Sequence, residues 1–215
     1  MIFFSQEEAG MPKNQNAILR LSRYKNTLYK LKTLGLEKVF SDNLADSIHV
    51  KSSQVRKDFS IFGIEGHRKG GYEINYLINK INEVLGKTKM NNVILAGAGK
   101  LGRALMGYKG FNQVNIKITA IFDIDPEKVK RDSPVPVLPL EEMKEYIKNN
   151  HIVIGIIAVP EEAAQLVVEH MIGAGVKGLL NFSTTNIKVP DHVIVNNVHM
   201  EAELENIIYY INNPE

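Results

Sequence analysis

Cysteine and tryptophan are both absent from this 215-residue chain. Without cysteine there are no disulfides, thiolate nucleophiles, iron–sulfur clusters or cysteine-based zinc sites, so if the protein senses redox state it does not do so through its own thiols. Long apolar runs are also missing. The longest, Ile152 to Pro160, falls far short of the ~20 residues that span a bilayer. The opening MIFFSQEEAG lacks the basic region and apolar stretch of a signal peptide, so a soluble, cytoplasmic protein with no membrane partner is expected. Charge of either sign is nearly balanced, with a net of +2, and 44% hydrophobic and 23% charged residues exclude collagen-like and disordered classes.

At about 150 residues per domain, the length suits one large domain or two small ones. The net charge is unevenly placed: residues 1–85 carry 13 Lys/Arg against 9 Asp/Glu, and residues 86–215 carry 13 against 15. A basic module that meets a polyanion, joined to a near-neutral module with another task, has this signature. The patterning changes at the same place. Before residue 86, apolar residues recur at helical spacing, as in Ile18, Leu21, Leu28, Leu31 and Leu34. After it, the runs VILAGAG, IKITAIFD, IVIGIIAVP, VKGLLNF and VIVNNV alternate with helix-length stretches and read as buried parallel strands in βα units. Residues 1–85, 86–198 and 199–215 are the expected modules.

Ser41 to Gly63 reads SDNLADSIHVKSSQVRKDFSIFG. Ser41 or Asp42 can cap a short helix with Leu44, Ala45 and Ile48 on its apolar face; after a break at His49-Val50-Lys51, Ser52 or Ser53 can cap a second helix carrying Val55 and Phe59. Ala45, Ile48, Val50 and Val55 fit the slots that set the crossing of a helix-turn-helix, with His49 where glycine often sits. The second helix would expose Ser52, Ser53, Gln54, Arg56, Lys57 and Ser60, which can donate to phosphates and base edges. The Gly-punctuated stretch from Gly63 to Tyr72, carrying Arg68 and Lys69, reads as a basic hairpin. Helix, helix and basic hairpin is the order of a winged helix on double-stranded DNA.

Asn92 to Ala96 is a strand followed at once by Gly97-Ala98-Gly99-Lys100-Leu101-Gly102 and a helix from Arg103 to Tyr108. This strand-to-helix context is what the G-x-G-x-x-G pattern requires for dinucleotide binding. Gly97 would allow the tight turn, Gly99 the approach of a pyrophosphate and Gly102 close helix packing. The next strand ends at Asp123, an acid placed to accept from an adenosine ribose and to disfavour a 2′-phosphate, with Asp125 as the fallback; NAD(H) is therefore expected over NADP(H). An oxidoreductase would need a proton donor as well. Of the six histidines, His49 and His67 belong to the first module, His151 and His192 to strand starts and His170 to a helix; none pairs with carboxylates at metal-ligand spacing, so no metal is expected. Only His199 follows a strand end where ligands of open α/β sheets bind. Binding without turnover is the more economical reading, the alternatives being an NAD-dependent oxidoreductase, a coenzyme-A-type binding module, or a DNA-binding protein without a ligand response. A last helix, Glu201 to Ile211, carries Leu204, Ile207, Ile208 and Ile211 on one face, to pack on its own sheet or on a second subunit.

Nearly the whole chain resembles the Rex family of redox-sensing repressors. The resemblance rests on Arg20-Leu21-Ser22-Arg23-Tyr24, on VRKDFSIFG from Val55, on Gly70-Gly71-Tyr72 and on GAGKLGRAL from Gly97. It continues through Tyr108-Lys109-Gly110-Phe111, Phe122-Asp123-Ile124-Asp125-Pro126, Val159-Pro160 with Ala164-Gln165, KGLLNF from Lys177 and Val189-Pro190. It implies an α/β protein with an N-terminal winged helix-turn-helix, a Rossmann-type parallel-sheet domain and a C-terminal helix exchanged in a homodimer. It also implies NADH and NAD+ as ligands, operator DNA with an inverted repeat as partner, Arg56 and Lys57 on the recognition helix, Arg68 and Lys69 in the wing, and Pro160 at the dinucleotide. Tyr108 resembles the family tyrosine near the nicotinamide, in a switch with Arg20 and an acid after the last strand. This chain departs there, because His199 stands where the family has Asp: a neutral imidazole cannot replace a carboxylate opposite arginine, and a protonated one repels it. The stretch Asn181 to Thr185 is also more polar than its family counterpart.

Overall fold

The computed structural model of the chain describes residues 15–66, 70–86 and 88–213, in two compact units that divide between Lys89 and Met90. The first contains α1 (Gln15–Thr33), β1 (Lys38–Val39), α2 (Ser41–Ser47), α3 (Ser52–Ile61), β2 (Tyr72–Glu73) and α4 (Ile74–Val84). Ala17, Leu21, Tyr24 and Leu28 recur every three or four residues along α1 and are all buried. Leu34, expected on the same face, lies beyond the helix end and is 74% exposed. Leu21, Tyr24 and Leu28 meet Leu44 of α2, Val55 and Phe59 of α3, and Leu77 and Ile81 of α4 in one core, where the Phe59 ring packs edge-on against Tyr24 and Tyr72.

The helix caps differ from the sequence reading. Phe40, not Ser41 or Asp42, is the extended residue before α2, and its N–H donates to Asn43 Oδ1 at 3.1 Å. Lys51, not Ser52 or Ser53, precedes α3. In both cases the chain turns helical one residue early, so the expected cap side chains fall inside the first turn. The turn itself is as read: His49 takes φ 57°, the left-handed region that favours glycine. The stretch after α3 does not pair with itself among the described residues. It returns through β2, which lies antiparallel to β1 with Val39 opposite Tyr72. Arg68 and Lys69, expected in the wing, lie outside the described residues.

The second unit is a parallel sheet with helices on both faces. Its strands are β3 (Asn91–Ala96), β4 (Ile116–Asp123), β5 (Val137–Pro139), β6 (Ile154–Ile157), β7 (Gly178–Asn181) and β8 (Ile194–Asn197), in spatial order β5-β4-β3-β6-β7-β8. Its helices are α5 (Lys100–Met106), α6 (Gly110–Gln113), α7 (Met143–Asn149), α8 (Glu161–Ala174) and α9 (Met200–Asn212). The five runs read as strands all pair in parallel; β5 was missed, because it is three residues long, preceded by Pro136 and ended by Pro139. An edge position tolerates proline, and β5 is the edge. The glycine-loop helix starts at Lys100 rather than Arg103. The order reverses between β3 and β6, the topological switch point at which open α/β sheets bind ligands beyond the strand ends. No helix among the described residues is long and apolar enough to cross a membrane.

His49 holds a backbone conformation that costs an L residue about 1 kcal/mol. His49→Gly is therefore expected to raise the stability of the first unit by roughly 0.5–1 kcal/mol, read as a higher midpoint in denaturant unfolding followed by hydrogen exchange of the α3 amides.

Candidate functional site

On α3 the buried residues are Val55, Asp58 and Phe59, and the opposite face carries Ser53, Arg56, Lys57 and Ser60, all exposed and spaced at helical intervals. Arg56 rests on α2 through a hydrogen bond from its Nη1 to Ser41 Oγ at 3.1 Å. Gln54 departs from the expected reading face. It is half-buried, and its Nε2 donates to Asp58 Oδ1 at 2.8 Å.

Asp58 is fully buried, and its two oxygens accept four hydrogen bonds. Arg20 Nε and Nη2 donate at 2.7 Å each, Tyr24 Oη donates at 2.9 Å, and the Gln54 amide completes the set. Burial pushes this carboxyl up, but the bonds from Arg20, Gln54 and Tyr24 outweigh it and hold the group below the usual aspartate range. Burial and the bond to Asp58 push the Tyr24 phenol well above its ordinary value, so it remains a donor. Arg20, expected as a partner of Tyr108 and residue 199, has here a bidentate partner within its own unit.

At the switch point of the sheet, Gly97 has φ 102°, and a Cβ on it would overlap the carbonyl of Ala158. A Cβ on Gly102 would overlap the Gly97 carbonyl in the same way. Both glycines are therefore required by the fold. Gly99 is not: its φ of −71° suits any residue, and apart from its own chain neighbours nothing among the described residues lies within 4 Å of a Cβ placed there. The open space over Gly99 is where a pyrophosphate would approach the backbone, followed by Lys100 and Leu101 at the start of α5. Beside it lies a cavity of about 300 Å³ lined by Gly97, Gly99, Ile124, Val159, Pro160 and Ala163, among others, an apolar slot of the kind a planar base fills.

Asp123 also lines this cavity, but its oxygens already accept hydrogen bonds. Oδ2 accepts from the Ala98 N–H at 2.7 Å, and Oδ1 accepts from the Asp125 N–H at 2.9 Å. Lys128 Nζ lies 3.3 and 3.4 Å from the two oxygens and 3.3 Å from Asp125 Oδ2. Burial raises the Asp123 carboxyl, yet the backbone bonds from Asp125 and Ala98, with Lys128 beside them, bring it below its usual value. The carboxylate so charged holds the glycine turn in shape, and a ribose hydroxyl would meet it together with Lys128. Sequence reading missed Lys128; its signal was the spacing D-x-D-x-x-K, which puts the ammonium one 3₁₀ turn past Asp125.

At the ends of β7 and β8 the chain is polar. Buried Asn181 donates to Asn197 Oδ1 at 2.9 Å and accepts from the Ser183 N–H and hydroxyl at 2.9 and 2.6 Å. Thr184 Oγ1 donates to Glu161 Oε2 at 3.3 Å. Tyr108, 60% exposed, stacks edge-on with Phe111 after α5. His199 precedes α9, with Nδ1 3.4 Å from Glu201 Oε1. Along α9, Leu204, Ile207, Ile208 and Ile211 are each more than half exposed. No group of three or more metal-ligating side chains occurs among the described residues.

Residues 15–60 match the family described as "Putative DNA-binding protein N-terminus", and residues 88–185 match the CoA binding domain family. The redox-sensing transcriptional repressor Rex of Listeria welshimeri is 38% identical over 195 residues, 90% of this chain and 91% of the relative. The crystal structure of RSP in complex with β-NAD+ and operator DNA superposes with a TM-score of 0.87 at 33% identity, covering 94% of both chains. RSP in complex with β-NADH superposes at 0.82 with 34% identity, covering 92% and 93%.

Because the fold does not need a glycine at position 99, Gly99→Val is expected to keep the unfolding midpoint of the parent while weakening NADH binding at least ten-fold. Titration followed by NADH fluorescence checks this; parent-like affinity would place the pyrophosphate elsewhere.

Proposed function

The chain belongs to the Rex family of redox-sensing transcriptional repressors, and we propose that it binds operator DNA through its first unit and releases it when NADH occupies the second. The observation that carries the ligand half is the unfilled approach over Gly99 beside the apolar cavity. The exposed face of Ser53, Arg56, Lys57 and Ser60 carries the DNA half. Ser52, Arg68 and Lys69 complete the proposed DNA contacts. Ala98, Lys100, Leu101, Tyr108, Asp123, Asp125 and Pro160 complete the dinucleotide contacts with the three glycines.

When bound, the dinucleotide supplies the difference on which sensing depends, a neutral dihydronicotinamide against a cationic nicotinamide ring. The chain's own residues turn that difference into a choice of state. The glycine turn, held by Asp123, admits the pyrophosphate; Asp123 and Lys128 meet the ribose; Tyr108 and His199 stand at the nicotinamide half and the base of α9. NADH moves DNA binding only by as much as it prefers the released state over the bound one. A 10- to 100-fold response needs about 1.4–2.7 kcal/mol of such preference.

We further infer a homodimer. Four large apolar side chains on one face of α9 are uncovered in this chain, and burying each is worth roughly 1.5–3 kcal/mol. A second copy covers such a face and presents two recognition helices to an inverted repeat. The relatives are regulators, and binding without turnover is the corresponding reading here; oxidation of NADH by a small carbonyl compound would favour the oxidoreductase instead. A cytoplasmic location follows from action on operator DNA.

The test is fluorescence anisotropy with a labelled inverted-repeat duplex at fixed salt, a scrambled duplex as control, and NAD+ and NADH titrated separately. NADH is expected to release the operator at concentrations where NAD+ does not. An operator complex indifferent to both nucleotides would remove the sensing half of the proposal. His199→Asp, which puts the family acid at the base of α9, is expected to change the NADH concentration for half-release by several-fold; an unchanged value would take position 199 out of the response.

A further inference from the structure

The four bonds to Asp58 have a consequence for how DNA is read. The side of α3 that faces the core is held by two kinds of contact. Val55 and Phe59 are buried among apolar neighbours, and such contacts fix how deeply the helix sits but are non-directional. Asp58 is different. Its bonds to the Nε and Nη2 of Arg20 form a two-point fork, which sets an angle as well as a distance. Tyr24 Oη adds a third direction from the same helix, α1, and Gln54 ties the network back to α3 itself.

Asp58 follows Arg56 by two residues and Lys57 by one, so its side chain and theirs turn together as the helix rolls about its axis. Side-chain tips lie about 5–6 Å from a helix axis. A roll of about 30° therefore displaces them by about 3 Å, whereas donor–acceptor distances in base contacts span only a few tenths of an ångström. Phosphate contacts made by long flexible side chains tolerate such a roll; base-edge contacts do not.

Resting on the reading of α3 as the recognition helix, we propose that Arg20 is a positioning residue for operator recognition: through Asp58 it fixes the roll of α3 and so the aim of Ser53, Arg56, Lys57 and Ser60. Arg20 touches no base in this account. The fork explains why the residue is arginine, since lysine keeps the charge without the two-point geometry.

The variant pair Arg20→Met with Asp58→Leu tests this in the full chain. Removing one partner leaves a buried charge, whereas replacing both by apolar groups of similar size is commonly tolerated. Operator and scrambled duplexes are titrated by anisotropy with wild type, the double variant and Arg20→Lys, NADH is titrated into each operator complex to read release, and NADH binding is followed by its own fluorescence. Expected is a loss of at least ten-fold in the operator-to-scrambled affinity ratio for the double variant. Scrambled-duplex affinity should stay within three-fold, NADH affinity should be unchanged, and Arg20→Lys should lie between.

Three results would overturn the proposal. A double variant, or Arg20→Lys should the pair fail to fold, that discriminates like wild type would make the clamp a stabilising feature only. Equal losses on both duplexes, with the salt slope reduced by about one, would make Arg20 a phosphate contact. Intact discrimination with loss of NADH-driven release would return Arg20 to the ligand switch. Wild type that fails to prefer the operator would instead remove the repressor reading on which the proposal stands.

Discussion

Where the strand order reverses between β3 and β6, the chain passes through Gly97 so close to the Ala158 carbonyl that no side chain fits. Much of the second unit depends on that crossing. It leaves the space above Gly99 open, lets α5 start directly over the strand end, and places the β6 continuation, Val159 and Pro160, as one wall of the apolar cavity. The crossing is held from the other side by Asp123, which receives the Ala98 N–H at the centre of the turn. A residue read as a ligand contact is thus first a structural one: its negative charge stabilises a backbone shape that exists before any dinucleotide arrives. Preorganisation of this sort lowers the ordering cost of binding.

The first unit uses a buried carboxylate in a parallel way. Asp58 and Asp123 are both held below the ordinary aspartate range against the opposing effect of burial, the first by side chains and the second mainly by backbone N–H groups. A group whose folded pKa is depressed contributes stability above its unfolded value and loses it as the pH falls through the folded one. For both carboxylates that window lies at and below the ordinary aspartate range. Neither therefore changes charge near neutrality, and any response of this protein around pH 7 must come from other groups.

The strands and the glycine turn were legible because their signals are local. Periodicity, β-branched runs and the G-x-G-x-x-G spacing each act within a dozen residues. The helix-turn-helix was legible for the same reason; that His49, in the place glycine often takes, adopts the left-handed conformation itself only the structure shows. What escaped was set by partners distant in sequence. Arg20 and Asp58 are 38 residues apart, and nothing in either segment says that the arginine turns inward. Gln54 looks like a DNA contact from its helix alone and becomes a core ligand only once Asp58 is seen to be buried. The edge strand β5 was hidden by its prolines, and the Asn181–Ser183–Asn197 lattice by the separation of β7 and β8. The cap positions slipped by one residue because Phe40 and Lys51 lack capping side chains, so composition pointed to the residues after them.

These two buried carboxylates also suggest why the molecule can be both rigid and switchable. A switch requires two arrangements that differ by only a few kcal/mol, so the elements that move must move as bodies rather than deform. Asp58 joins α1 to α3 by directional bonds, and Asp123 joins the glycine turn to the end of β4. Each bond set makes a rigid part out of segments that apolar packing alone would leave free to slide. Distortion of the turn, or a roll of α3, would have to break these directional bonds. No such bond set holds the apolar face of α9 among the described residues, where Leu204, Ile207, Ile208 and Ile211 are each more than half exposed.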